Sequence, residues 1–396
     1  MINFMNDYNS PGHPDIIKAV ADAAREKYPG YGTDAASERA RNRIKALLGA
    51  GGDADVHFLA GGTQANVTAV SAFLRPHEAV IAADSAHINV HETGGIEAAG
   101  HKILLAGGGT DTAGAQVAVS VASGAGKPGV ESGAQGSGSG ASGAGKPGVG
   151  SGAPGTGSGR SGAGKLTAEG VRHICAVHAD EHMVKPRLVY ISQSTELGGV
   201  YTLRELNDLR AVCDEYGLLL YLDGARLAAA LVSRVNDAQL GDIAALCDAF
   251  YIGGTKNGLL FGEALVIVND LLKEDFRYLQ KQRGGLLAKG FLLGLQFDAL
   301  FENGLFFTVA GHADAMAERL RSGLEGLGCR FLVNSRTNQI FPIIRTEAVE
   351  RLASLFLFET WSRVDEHYSS IRFVTSWNTT EDEVDALIEA YGSLER

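Results

Sequence analysis

No stretch of the sequence approaches 18 consecutive apolar residues, so none reads as a membrane-spanning helix. Positive charge is in short supply, with 35 Lys and Arg against 46 Asp and Glu, a formal net charge of −11. A protein that grips nucleic-acid phosphates needs a clustered positive field, and this balance argues against one. The opening residues, MINFMNDYNSPGHP, lack the charged segment and apolar core of a secretory signal. Cysteine is scarce too: Cys175, Cys213, Cys247 and Cys329 fall at spacings that suit no metal site and read as reduced thiols of a cytoplasmic protein. What is present is ordinary for a globular chain: 396 residues, 45% hydrophobic and 20% charged, enough for a large domain and a smaller one.

From 106 to 165 the composition collapses into Gly, Ser and Ala, with 21 of the chain's 52 glycines. SGAGKPGV begins at Ser123 and again at Ser142, and SGAGK returns at Ser161, a constant spacing of 19 residues. So little apolar area cannot offset chain entropy, and the tract is expected to be a flexible insertion. Its last repeat, GRSGAGKL (Gly159 to Leu166), imitates a phosphate-binding loop. Leu166 stands where the magnesium-binding hydroxyl belongs, no apolar strand precedes it, and repetition accounts for the letters. A second imitation is HADEH (His178 to His182), which puts two histidines at helical spacing without the His-Glu-x-x-His pattern of zinc enzymes. It reads as a polar surface helix, and no metal is expected.

Around the insertion, short apolar runs at 56–60, 79–84, 188–192, 218–223, 249–253 and 264–268 alternate with helical patterns such as LRELNDLRAVCDEY (203–216). That alternation predicts an α/β fold with a mostly parallel sheet covered on both faces, a three-layer arrangement. Beyond Gly285 come long helices and then the strands of a smaller α+β unit, QIFPII (339–344) and IRFVTSW (371–377). The expected organisation is an N-terminal arm over 1–30, a large domain over 31–285 interrupted by the 106–165 insertion, and a small C-terminal domain over 286–396.

Ligands of parallel sheets bind at the C-terminal ends of strands. Here those ends carry GGTQAN (Gly61 to Asn66), then His87, His91 and Glu92, then DGAR with Asp223 and Arg226, then Lys256 in GGTKNG. Two glycines and the Thr63 hydroxyl at a helix start suit a phosphate. A histidine suits a ring face, a carboxylate a protonated ring nitrogen, and a desolvated lysine an aldehyde. One ligand asks for all four: pyridoxal 5'-phosphate, held as a Schiff base.

With NDY, YGTD, GGTQAN, HINVHETGGIEAAGHK, TELGGVYT, LDGARLAAAL, GGTKNG and IRFVTSW, the chain resembles fold-type-I pyridoxal-phosphate enzymes of the threonine aldolase and β-eliminating lyase group. The likeness is to the low-specificity threonine and phenylserine aldolase branch and spans all but the insertion. It implies that Gly62 and Thr63 hold the phosphate and that His87 stacks on the ring. It further implies that Asp223 pairs with the ring nitrogen and that Lys256 carries the cofactor as an imine. Arg226 and Arg372, helped by Asn6, would bind the substrate carboxylate. Tyr31 and residues 281–289 would reach a neighbouring subunit in a homodimer or homotetramer. Glu196 departs from the group, many of whose members have a histidine there.

The implied reaction is cleavage of a β-hydroxy-α-amino acid to glycine and an aldehyde, a carbon–carbon lyase reaction. His87 is the first candidate for the base and Glu196 the second. The alternative is β-elimination or another amino-acid reaction, such as transamination, on the same cofactor. The expected partner is a small amino acid, with neither nucleic acid nor membrane involved.

Overall fold

The computed structural model describes residues 1–49, 52–106 and 163–394. The central sheet has seven strands in the order β2-β8-β7-β6-β5-β3-β4. They are β2 (Asp55–Leu59), β3 (Glu78–Ala82), β4 (Ile103–Leu105), β5 (Lys185–Ser192), β6 (Leu219–Asp223), β7 (Ala249–Gly253) and β8 (Glu263–Ile267). Only β8 is reversed, antiparallel to both neighbours, β2 and β7. The short β4 is the one strand the apolar runs did not announce, because it has only three residues between Lys102 and the insertion.

Alternation along these strands divides their side chains between two cores. Ile81, Val189, Ile191, Leu220, Leu222, Phe250 and Ile252 join one, packed under the helices Ala35–Ala46, Ala168–Val177 and Leu203–Tyr216. Val80, Leu188, Tyr190, Tyr221, Tyr251 and Leu265 join the other, beneath the helix Gly62–Phe73. Helix Leu203–Tyr216 has the span its pattern predicts. Thr202 and Glu205 form a reciprocal capping box at its start, and Gly217 ends it at φ 63°, a conformation that favours glycine.

The smaller unit is antiparallel, with β14 (Tyr368–Val374) flanked by β10 (Gln339–Ile340), β11 (Pro342–Arg345) and β13 (Glu359–Arg363), and β9 (Arg330–Phe331) outside β11. The first residues belong here, since β1 (Ile2–Asn3) pairs with β12 (Phe356–Leu357) and Phe4 lies in this core. The helix Leu305–Gly326 serves both units. Phe306 and Ala310 pack into the large core, while Met316, Leu320 and Leu324 pack into the small one. Large-domain packing thus continues past residue 285, through Leu293 and Phe297.

The insertion lies outside the described residues except at its ends, which are more firmly placed than composition suggests. Ala106 is buried and its N–H bonds the Ala82 carbonyl, while Lys165 pairs with Glu205 at 2.7 Å. Hence the lysine of the false phosphate loop already has a carboxylate partner. The surface helix expected at His178 to His182 does not form. The helix Ala168–Val177 stops short of it, and the Asp180 carboxylate turns the chain by accepting the His182 N–H at 2.9 Å. No cluster of potential metal ligands occurs among the described residues.

Candidate active site

Strands β2, β3, β5, β6 and β7 end on one rim, and the turn from β7 to β8 carries Lys256. Gly253 pairs with Glu263, which leaves residues 254–262 to make the turn. A Cβ on Gly254 would come within 2.3 Å of Leu259 Cδ1 and 2.7 Å of the Gly262 carbonyl, so the turn closes only around glycine. The Lys256 amine reaches the Tyr8 ring, 6.0 Å from its centre. Among the described residues no carboxylate stands within ion-pair distance of it. Burial lowers its pKa and the Arg226 charge lowers it further, against a weaker pull from Asp7, Asp223 and Glu263. A depressed lysine with no ion-pair partner is a nucleophile at modest pH.

Asp223, at the end of β6, is clamped. Its carboxylate accepts hydrogen bonds from Tyr190 and Tyr251, both at 2.5 Å, from Asn66 Nδ2 at 2.9 Å and from the Ala225 N–H at 3.0 Å. Burial alone would raise its pKa, but the nearby His87 and these donors outweigh that and lower it. A carboxylate held anionic in a dry site can keep a facing ring nitrogen protonated. The second hydrogen of Asn66 Nδ2 goes to Glu92 Oε1 at 2.8 Å, and the same oxygen meets His87 Nδ1 at 2.8 Å. Asp223 and His87 are therefore joined through Asn66 and Glu92.

Glu196 is half-buried, and desolvation of its carboxyl raises its pKa. Its Oε1 accepts from Ser192 Oγ at 2.8 Å and from the His87 backbone N–H at 2.9 Å. At the end of β2 the helix Gly62–Phe73 starts behind Gly61, with no side chain capping its first N–H groups. A Cβ on Gly62 would lie 2.9 Å from the Tyr251 hydroxyl. The open N–H groups form a ready anion site.

These residues share space. Gly62, Thr63, His87, Glu196, Asp223 and Lys256 line a cavity of about 300 Å³. Asn6, Arg226 and Arg372 line an adjoining one of about 350 Å³ with the same Lys256, His87 and Glu196. Both arginines have acidic neighbours. Arg226 forks onto Asp7 at 2.7 and 3.0 Å. Arg372 pairs with Glu359, its cross-strand neighbour on β13, and lies 5.2 Å above the Trp361 ring. Its Nε is buried without a hydrogen-bond partner among the described residues. Asp365, nearby in sequence, is not its partner and accepts the His367 and Tyr368 N–H groups of its own turn. Tyr31 and Lys281 line neither cavity and meet elsewhere, the ammonium 4.4 Å from the ring centre.

Sequence reasoning did not find Tyr190, Tyr251, Asp7, Glu359 or Glu263. The tyrosines were hidden in apolar strand runs, where a lone polar atom at the tip of a large ring leaves the alternation intact. Glu263 was the stronger missed signal, a carboxyl opening an apolar strand. It lines the Lys256 cavity, accepts the Gly254 N–H at 2.9 Å, and is pushed up to about 7 by burial.

Comparison with known proteins adds to this geometry. The family model described as Beta-eliminating lyase matches residues 3–347. The low-specificity L-threonine aldolase of a Pseudomonas species is 30% identical over 390 residues, 96% of this chain and 94% of that protein. The protein of the same description from Pseudomonas aeruginosa is 30% identical over 95% of this chain and 93% of its own length. The threonine aldolase structure of Leishmania major superposes with a TM-score of 0.84 at 40% identity, covering both chains fully. An aspartate aminotransferase of Thermus thermophilus shares the fold at a TM-score of 0.64 and 13% identity, over all of this chain and 91% of its own.

Proposed function

The chain belongs to the β-eliminating lyase family, and within it we propose a pyridoxal-phosphate-dependent aldolase that cleaves β-hydroxy-α-amino acids of the threonine or phenylserine type. The observation that carries the reading is the Lys256 amine, desolvated and without an ion-pair partner, in one cavity with the anionic, four-donor Asp223. The residues present fit the cofactor. Gly62 and Thr63, with the uncapped N–H groups, would hold its phosphate, Asp223 its ring nitrogen, Lys256 its aldehyde carbon and His87 its ring face. Bound there, pyridoxal phosphate supplies an electron sink for a bond broken at Cα.

The chain's own groups do the rest. Arg372, and the Nη1 that Arg226 keeps free of Asp7, would bind the substrate carboxylate, with Asn6 beside them. A fixed carboxylate turns the Cα–Cβ bond to the angle at which it breaks. Burial of Asp223 keeps bulk water from competing for charge. Aldol cleavage is favoured over elimination by the relatives, which are named for it. Product analysis on L-threonine and phenylserine tests the reading: glycine plus aldehyde supports it, and a 2-oxo acid plus ammonia overturns it in favour of elimination.

The same reading includes a homodimer or homotetramer in which Tyr31 and residues 281–289 approach a neighbour's site. Tyr31 supports this, being exposed and held at φ 61° under Lys281 rather than turned into its own cavity. Native mass spectrometry would decide it. No helix among the described residues is long and apolar enough to cross a membrane. A cytoplasmic setting belongs to the proposal and suits a chain with only four scattered cysteines.

A further inference from the structure

Cleavage of a β-hydroxy amino acid requires a group that takes the hydroxyl proton, and the two residues expected to do so are each partly committed elsewhere. His87 commits Nδ1 to Glu92 at 2.8 Å, and its ring face is assigned to the cofactor. Glu196 uses Oε1 twice, for Ser192 and for the His87 backbone. A third group stands in the same cavity. His91 ends the short helix His87–Val90, its own N–H bonding the His87 carbonyl at 2.9 Å. That places its ring 5.4 Å from the His87 ring, on the wall of the cavity that also holds Lys256, Arg226 and Arg372. Among the described residues neither of its ring nitrogens has a hydrogen-bond partner, so both are free to meet a ligand.

Resting on the aldolase reading above, we propose that His91 is the catalytic base that removes the substrate's β-hydroxyl proton. The O–H bond breaks and an N–H bond forms on the imidazole. The freed oxygen pair becomes the carbonyl of the departing aldehyde as Cα–Cβ breaks, and the pair from that bond stays with the amino-acid fragment, which takes up a proton to become glycine.

The surrounding charges fit the role. Partial desolvation, followed by the charges of His87, Arg372, Lys256 and Arg226, together bring the His91 imidazole down to about 4. The ring is thus neutral, and able to accept, across the physiological range. Two of those four neighbours are groups that the substrate would engage, since its carboxylate answers the charges of Arg372 and Arg226. Substrate binding therefore lifts the His91 pKa toward neutrality, where a general base works best. Glu92, Glu196 and Glu359 are the acids of the same region; the first two bond to His87 and the third to Arg372, none to His91.

His91→Phe keeps a ring against His87 and removes both nitrogens, and the position is exposed enough that folding is not at stake. Two rates are read on the cofactor-loaded enzyme: cleavage of phenylserine or threonine, and exchange of the glycine α-hydrogen with deuterated water. The second needs the cofactor, Lys256 and the arginines but no β-hydroxyl chemistry. Cleavage should fall by about 10²–10⁴-fold with exchange at the parent rate, and the acidic limb of the kcat profile should disappear. Cleavage at the parent rate in the variant, an equal loss of both reactions, or an acidic limb that survives would each overturn the assignment. A parent enzyme that exchanges glycine but cleaves no β-hydroxy amino acid would instead bring down the aldolase reading, and this proposal with it.

Discussion

Arg226 and Asp7 face each other through two parallel hydrogen bonds, with Asp7 1% exposed and Arg226 11%. Asp7 also accepts from Asn338 Nδ2 at 2.9 Å, so one carboxylate ties the N-terminal segment to the rim of the large sheet and to the small domain. Burial raises the Asp7 pKa, but Arg226 and Lys256 outweigh it and the net direction is down. Such a group stabilises the fold above its unfolded value, and that stability is lost as pH falls through the depressed folded value.

Asp7→Asn should therefore be costly, because it leaves the Arg226 charge buried without its acid. Breaking one side of a buried pair typically costs about 3–5 kcal/mol. Thermal unfolding should show the loss at pH 7. Added glycine should restore part of it, since its carboxylate offers Arg226 a replacement anion. Full stability in the variant without any ligand would mean the pair is not the latch described here.

Lys256 is the second test. Protein loaded with pyridoxal phosphate and reduced with borohydride should carry the cofactor on the peptide containing Lys256, and Lys256→Ala should bind it only reversibly. A stable adduct mapped to Lys281 or Lys289 would contradict the site as built from β7 and β8.

The central sheet was legible in the sequence because its strands are buried on both faces and read as continuous apolar runs. The cluster of Gly62, His87, Asp223 and Lys256 was legible for a related reason. Parallel strands all end on one edge, so residues far apart in sequence are gathered without any three-dimensional information. The partners of these residues were less accessible. Asp7 reaches Arg226 across 219 positions, and Glu359 reaches Arg372 only because β13 and β14 pair in that register. Neither contact leaves a local pattern. The opposite failure occurred at His178 to His182, where helical spacing of two histidines was real but Asp180 favoured a turn.

Arg372 separates substrate recognition from cofactor binding. Arg372→Ala should keep the cofactor spectrum and weaken glycine or threonine binding. A truncated charge-assisted contact costs about 2–5 kcal/mol, roughly 30- to several-thousand-fold in affinity. Arg372→Lys should recover only part, since an ammonium lacks the planar fork. If spectral titration finds glycine binding unchanged in the alanine variant, the guanidinium serves Glu359, Gln339 and Trp361 rather than the ligand.

The last prediction concerns a carboxyl that the proposed chemistry does not use. Asp314 lies on the helix Leu305–Gly326, in the stretch between the residues that pack into the large core and those that pack into the small one. Both its carboxyl oxygens are buried, and burial pushes its pKa up to about 8 against the weaker opposing effect of the Asn338 backbone N–H. Its unfolded value is near 3.8. Between those values the folded protein holds a proton that the unfolded chain releases, so stability falls as pH rises from about 4 to about 8. Asp314→Asn has nothing to ionise and should lose this slope. Parent and variant should melt at similar temperatures near pH 4 and diverge as pH rises toward 8, with the variant higher. A difference of about 1 kcal/mol would already appear as about 2–4 °C in Tm. Glu263, pushed up to about 7, remains in both proteins and leaves a shallower slope of the same sign. Parallel melting curves across the whole range would show that the Asp314 carboxyl is ionised and compensated in the folded state.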